Sequence, residues 1–290
     1  MYRPEKIMPV HAPAAPEIIS VAEDTRETKP KLELTLEDIW NGIAQDQFVP
    51  HFQPKVTLKG MVLAGVEALM RWHHPELGLL TAGTFLPLIA DNFLFDDLTA
   101  IMLEKSISQC RRWQNQDLTV PISLNLSADL LLDPGLADRI EAKMIEHGIP
   151  NEKLIVEVSE ADLARPGESA RENLSQLRWR GFGLAIDDFG IGHCSMDDLL
   201  RIPASELKID RKMLAGAAQV PALREALTAS LKVAEELRLQ AVAEGVETQE
   251  EWDLVNALGC DLAQGYFIAR PMAGDEILSW HQAWSNDPFL

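Results

Sequence analysis

Basic residues are scarce in this chain: 26 Lys and Arg stand against 45 Asp and Glu, a formal charge of -19 at pH 7. Such a surface repels phosphate backbones and anionic lipid, which excludes non-specific DNA or RNA binding. Cysteine is equally sparse. Cys110, Cys194 and Cys260 lie far apart and form no CxxC pair, so neither a structural zinc site nor a disulfide framework is expected, and the compartment implied is the cytoplasm. No run approaches the roughly 18 uncharged apolar residues of a membrane span, so no membrane insertion is expected. The opening MYRPEKIMPVHAPAAPE lacks the apolar core of a signal peptide. Without secretion, the Asn-x-Ser triplets at Asn125 and Asn173 do not act as glycosylation sites.

Apolar residues are plentiful, at 47% of 290, which fits one domain of about 250 residues with a tail. Residues 1–34 hold Pro4, Pro9, Pro13, Pro16 and Pro30 without a sustained period and read as a flexible leader. The domain itself is expected over residues 35–285, with 286–290 as a C-terminal tail. Its first element is signalled by TLEDIWNGI, where Thr35 can cap a helix and Asp38 sits at the return position of a capping box. Beyond it, short runs suited to buried strands recur: VPHFQPKV, MVLAGVEALMRW, VPISLNLS, KLIVEVSE, GFGLAIDDFG, SELKIDR, LQAVAEGVE and LAQGYFIARP. Most are separated by stretches with helical spacing, such as DDLTAIMLEKSISQCRRW and PALREALTASLKVAEELR. This alternation points to an α/β fold, a (β/α)8 TIM-type barrel, although strand counting alone leaves a doubly wound sheet open. Trp113, Trp179 and Trp252 on the intervening helices read as core.

The strand candidates share a feature: each begins apolar and ends polar. Glu67, Asn125, Glu157 with Glu160, Asp187 with Asp188, Lys208 with Asp210, Glu244 with Glu247, and Gln264 fall at these ends. In a barrel the carboxyl ends of the strands converge on the face that carries the active site. Glu67, Glu157, Asp187, Asp188 and Glu244 together would place five negative charges in one mouth, and like charges about 4 Å apart cost roughly 4 kcal/mol per pair at an effective dielectric near 20. Two divalent cations and Lys208 would balance them, and paired ions about 3.5 to 4 Å apart are an arrangement used in phosphodiester cleavage. The donors are all carboxylate or amide oxygen, which favours Mg or Mn over Zn. DFG at 188–190 lacks the HRD and VAIK partners of a kinase, and Gly181 and Gly183 precede their strand, so a dinucleotide fingerprint fails. His73, His74 and His193 read as caps or loop surface.

Taken in order, Gln53-Pro54, Glu67-Ala68-Leu69 with Arg71-Trp72, Asn125-Leu126-Ser127, Glu157-Val158-Ser159-Glu160, Asp187-Asp188-Phe189-Gly190, Lys208-Ile209-Asp210, Ala243-Glu244-Gly245-Val246-Glu247 and Gln264-Gly265-Tyr266 resemble the EAL-domain family of cyclic di-GMP phosphodiesterases over residues 36 to 285. The resemblance implies the EAL variant of the TIM barrel and metal-dependent hydrolysis of cyclic di-GMP to linear pGpG. It implies that Glu67, Asn125, Glu157 and Asp187 hold one metal, with Asp187 shared and Asp188 on the second. Glu244 matches the general base and Lys208 the residue that holds the attacking water. Gln53, Leu69, Arg71, Asp210 and Gln264 fall at substrate-facing positions, and Glu160 and Glu247 anchor loops. Two Mg or Mn ions per site are implied, with Ca inhibitory, together with a homodimer and a regulatory protein partner. The alternative is a catalytically silent cyclic di-GMP receptor or interaction module.

The segment after Asp187-Asp188 departs from the family pattern, reading Phe189-Gly190-Ile191-Gly192-His193-Cys194-Ser195-Met196. Ile191 stands where a threonine is usual and lacks its hydroxyl, so a weaker link between this loop and Glu160 is expected. TAGTFLPLIADN likewise carries Ala82 and Asp91 in place of the usual Pro and Glu.

Overall fold

The capping box at Thr35 is formed: its hydroxyl accepts from the Asp38 N–H at 3.2 Å, and Asp38 Oδ2 accepts from the Thr35 N–H at 2.8 Å. The helix Leu36–Ala44 follows directly. The computed structural model describes residues 34–89, 94–127, 129–163, 167–192 and 194–289; the leader over 1–33, Asp91 and His193 lie outside the described residues.

Among the described residues, ten strands follow: β1 (Phe48–Thr57), β2 (Leu63–His74), β3 (Gly78–Thr81), β4 (Ile122–Asn125), β5 (Leu154–Ser159), β6 (Gly183–Phe189), β7 (Glu206–Ile209), β8 (Gln240–Ala243), β9 (Leu262–Gln264) and β10 (Met272–Ala273). Eight of them close a barrel in the order β1-β9-β8-β7-β6-β5-β4-β2, with β2 returning to β1. Each of the eight strand runs identified in the sequence supplies one barrel strand. The fold is therefore a TIM-type α/β barrel, and the doubly wound sheet is excluded because no edge remains between β1 and β2.

The regular scheme of eight strand–helix units needs one correction. β1 runs antiparallel to both β2 and β9. Only residues 58–62 separate β1 from β2, with Gly60 at φ 85° and Met61 at φ 52°, which is a hairpin turn. A parallel connection needs a crossover of about a dozen residues, so the spacing dictates antiparallel pairing. The amino end of β1, not its carboxyl end, therefore lies at the mouth. β3 and β10 are short antiparallel additions to β2 and β1. The β2–β3 turn is closed by buried His74, whose Nδ1 accepts from the N–H groups of Glu76 and Leu77 at 3.1 Å each.

Helices Leu94–Gln114, Leu136–His147, Glu168–Trp179, Pro221–Leu237 and Gln249–Ala257 surround the parallel strands. Trp113 and Trp252 are buried in this packing, but Trp179 is 88% exposed and is not core. Helix Glu168–Trp179 buries Ala170, Asn173, Leu174 and Leu177, the face set by three and four spacing, and Trp179 falls two residues beyond that face. Asn173 is consumed internally, donating to the carbonyls of Leu131 and Asp133 at 2.7 and 2.8 Å. A second cluster of Ile39, Phe48, Trp72, Phe85, Ile89, Leu94 and Leu98 packs outside β1 and β2, with the Phe48 and Trp72 rings stacked at 5.0 Å. Near the C-terminus, Phe289 lies edge-on to Trp252 and Trp284 with ring centroids 5.1 and 5.0 Å away.

Candidate active site

Side chains two residues apart on a strand share a face, and this alternation aims Glu67, Asn125, Glu157, Asp187, Lys208 and Gln264 into the barrel from six different strands. Lys208 is wholly buried at the centre. Its Nζ lies 2.6 Å from Glu157 Oε2, 2.8 Å from Glu244 Oε1, 3.0 Å from Asp187 Oδ1 and 3.5 Å from Glu67 Oε2. Burial opposes the ammonium charge, but Glu157, Glu244, Glu67 and Asp187 outweigh it and hold Lys208 well above the ordinary lysine range. Lys208 is thus a permanent donor, unable to take a proton at neutral pH.

The carboxylates respond in the opposite sense. Burial pushes Glu157 well above the usual carboxylate range, with Lys208 opposing. Burial likewise pushes Glu244 up to about 8 against the pull of Lys208. Asn125 Nδ2 donates to Glu67 Oε1 at 3.1 Å, and Gln264 Nε2 donates to Glu67 Oε2 at 2.6 Å and to Gln53 Oε1 at 3.2 Å. Gln53 in turn donates to the Ala269 carbonyl at 3.0 Å. Glu157 Oε1 and Gln264 Oε1 are buried without a hydrogen-bond partner.

Asp187 and Asp188 are consecutive, so a regular strand would send them to opposite faces. The β6–β7 register shifts between Ile186 and Phe189, and Asp188 adopts the left-handed conformation at φ 57°. This bulge turns Asp188 toward the mouth, where Asp187, Asp188 and Glu244 each offer an oxygen within 4.8 Å of the others. The conformation costs about 1 kcal/mol or more for a residue with a Cβ, and Asp tolerates it better than most. Burial, Asp187 and a hydrogen bond with Asp210 raise Asp188 to about 6. Asp210 also caps the short helix Arg211–Leu214 through the Lys212 N–H at 2.6 Å.

Glu160 begins the short helix after β5 and is buried. Its carboxylate accepts from Gly190 and Gly192 N–H at 2.9 Å each and from Cys194 N–H at 3.0 Å. The weak link expected from Ile191 is therefore corrected: backbone groups form the attachment, and the Ile191 side chain is 41% exposed. The two glycines are required for this approach, since a Cβ at 192 would lie 2.6 Å from Glu160 Cδ and one at 190 would lie 1.8 Å from Met213 Sδ. Glu247 accepts from Arg211 Nη2 at 2.6 Å, tying the segment after β8 to the one after β7.

Leu69 and Arg71 continue the inward face of β2 toward solvent. Leu69 lines a cavity of about 480 Å3 with Met70, Phe95, Met102, Leu126 and Asn125. The Arg71 guanidinium donates to the Met70 carbonyl at 2.8 Å, and burial lowers it from the ordinary arginine range against the opposing pull of Glu67. Two side-chain pairings escaped the sequence reading. Tyr266, 49% exposed beside Gln264, carries the Arg270 guanidinium 4.3 Å from its ring centroid. Lys55 and Glu206 form a buried pair at 2.5 Å below the site. Both were legible as positions: Lys55 lies two residues after Gln53 and Glu206 two before Lys208, each on the inward face.

Convergent strand ends gather carboxylates around one lysine in a closed α/β barrel, and the chain belongs to the EAL-domain family, whose model matches residues 36–271. It is 36% identical over 245 residues to the bifunctional diguanylate cyclase/cyclic di-GMP phosphodiesterase MucR of Pseudomonas aeruginosa, covering 84% of this chain and 36% of that protein. It is 33% identical over 243 residues to the cyclic di-GMP phosphodiesterase RocR of the same organism, covering 84% of this chain and 62% of that protein. The chain thus spans less than two thirds of either relative. The structure of the PaMucR phosphodiesterase in its c-di-GMP complex matches with a TM-score of 0.80 at 36% identity, covering 83% of this chain and 98% of that one. The EAL enzyme Bd1971 in its cAMP- and cyclic-di-GMP-bound form matches with a TM-score of 0.80 at 25% identity, over 84% and 67% of the two chains.

Proposed function

We propose that this chain is a metal-dependent phosphodiesterase that hydrolyses cyclic di-GMP to linear pGpG. The observation that carries the reading is the oxygen-only cluster around Lys208: Asp187, Asp188 and Glu244 within 4.8 Å, beside a buried Glu157 oxygen with no partner. An unpartnered buried carboxylate oxygen is costly, and a hard divalent cation is the partner its chemistry suits. The residues fit the two ions the family implies. Glu67, Asn125, Glu157 and Asp187 would hold one, and Asp187 with Asp188 the other. Bound there, Mg or Mn would neutralise the diester and lower the proton affinity of a water.

The chain's own residues supply the rest. Lys208, always charged, orients a water by donation and cannot deprotonate it. Glu244, 2.8 Å from Lys208 and made more basic by burial, accepts the water proton in its ionised form. The water oxygen adds to phosphorus as the bond to the ribose 3′ oxygen breaks; that oxygen takes up a proton, leaving a 5′ phosphate and a 3′ hydroxyl. Arg71 suits a phosphate oxygen, and Gln53, Asp210 and Gln264 line its approach. The apolar cavity beside Leu69 suits a base.

Exposed Met196 and Leu200 beyond the Glu160-anchored loop support a homodimer and offer a surface for a regulatory protein. Among the described residues, no helix is long and apolar enough to cross a membrane. The proposed compartment is the cytoplasm, in keeping with three free thiols. The deciding experiment is incubation with cyclic di-GMP and Mg or Mn followed by chromatography. Linear pGpG is expected; tight binding without turnover would establish a receptor instead.

A further inference from the structure

Glu244 directly follows β8, and Gly245 after it adopts the left-handed conformation at φ 64°, so the proposed proton acceptor stands at the start of a turn. Backbone bonds hold the turn in part. Glu244 N–H donates to the Ile209 carbonyl at 3.1 Å, Val246 N–H donates to the Gln264 carbonyl at 3.0 Å, and the Val246 carbonyl accepts from Phe267 N–H at 3.0 Å. At Gly245 the covering group is a side chain. A Cβ there would lie 2.5 Å from Arg211 Cγ and 2.6 Å from Arg211 Cβ, so the arginine stem lies flat against the glycine. Beyond it the guanidinium reaches Glu247, with Nη2 and Oε2 2.6 Å apart. Arg211 thus grips the turn at two points, one and three residues after Glu244.

The grip has a fixed base. Arg211 opens the short helix Arg211–Leu214, which Asp210 caps, and Lys208 lies only three residues earlier. The ammonium that meets Glu244 at 2.8 Å and the arginine that holds its turn therefore come from the end of one strand, β7. Stability gives the ion pair little reason to exist, since 56% of the Arg211 side chain and 31% of that of Glu247 are exposed and pairs open to water contribute little. Its geometric effect is larger. Glycine restricts its own torsions least of all residues, so the backbone beside Glu244 takes its place from what packs on it. We infer that Arg211 is a positioning residue for Glu244: its stem on Gly245 and its ion pair with Glu247 set where the carboxylate stands against Lys208. The inference rests on the reading of Glu244 as the base of a phosphodiesterase. It requires no contact between Arg211 and substrate, and displacement of a reacting group costs rate rather than binding.

The test compares kcat and KM for cyclic di-GMP with Tm across a small set of variants. Arg211→Ala is expected to lower kcat about tenfold while KM stays within about twofold and Tm holds. Arg211→Lys keeps the stem and a cation and should recover most of the rate. Glu247→Ala should lower kcat as Arg211→Ala does, and the double variant should fall no further, because the two side chains act as one unit. If Arg211→Ala fails to fold, Arg211→Met keeps the stem and removes only the charge; its kcat should still fall with KM unchanged. An unaltered kcat in Arg211→Ala, or in Arg211→Met where that variant replaces it, would overturn the inference. So would a rise in KM matching the loss of rate, which would make Arg211 a substrate contact, or additive losses in the double variant. Each of these leaves the phosphodiesterase reading standing, whereas absence of turnover by the unsubstituted protein would overturn both together.

Discussion

Gly192 and Glu160 are fitted to one another: the Gly192 N–H donates to Glu160 Oε2 at 2.9 Å, and a Cβ at 192 would stand 2.6 Å from the carboxylate carbon. The relationship explains how the loop after Asp188 keeps its place without a hydroxyl at position 191. Three backbone donors to one carboxylate are charge-assisted bonds, each worth about 1.5 to 3 kcal/mol. Ile191→Thr is therefore expected to leave the magnesium dependence of turnover superimposable on that of the unsubstituted protein. Gly192→Ala should instead raise the Mg needed for half-maximal rate, because the methyl group forces the loop off Glu160. Parallel magnesium titrations of the three proteins decide the point.

Glu244→Gln preserves the shape of the site but removes the proposed proton acceptor. Turnover should fall by roughly 10² to 10⁴ with cyclic di-GMP still bound. Single-turnover rates alongside equilibrium binding would separate these quantities. A matched loss of both would assign Glu244 to binding.

Lys208→Met strands four carboxylates that now share one ammonium. Removing one partner of a buried charge cluster typically costs about 3 to 5 kcal/mol, so thermal stability should drop sharply. Added Mg should recover part of the lost Tm by supplying charge to the same oxygens. Thermal unfolding with and without Mg tests this, and a Tm indifferent to Mg would count against cation binding there.

Chelation should abolish hydrolysis, with Mg or Mn restoring it. Calcium should inhibit, because it prefers longer bonds and more ligands than Mg and would spoil the geometry around the attacking water. Product chromatography across the three ions is the measurement; turnover in Ca equal to that in Mg would overturn the expectation.

The sequence by itself determined the barrel strands and the chemical types at their ends. Alternation of apolar residues with terminal carboxylates is a local pattern, and a strand must carry it wherever the strand ends up. The capping box at Thr35 and Asp38 was legible for the same reason. Three things were decided only in the tertiary structure. The antiparallel pairing of β1 with β9 follows from closure of the sheet. The shared face of Asp187 and Asp188 follows from the bulge where β6 meets β7, a mismatch between two strands that neither strand alone encodes. The pairing of Lys55 with Glu206, 151 residues apart, arises because the barrel brings β1 and β7 across its axis, and the burial that gives both charges their weight exists only once the barrel is closed.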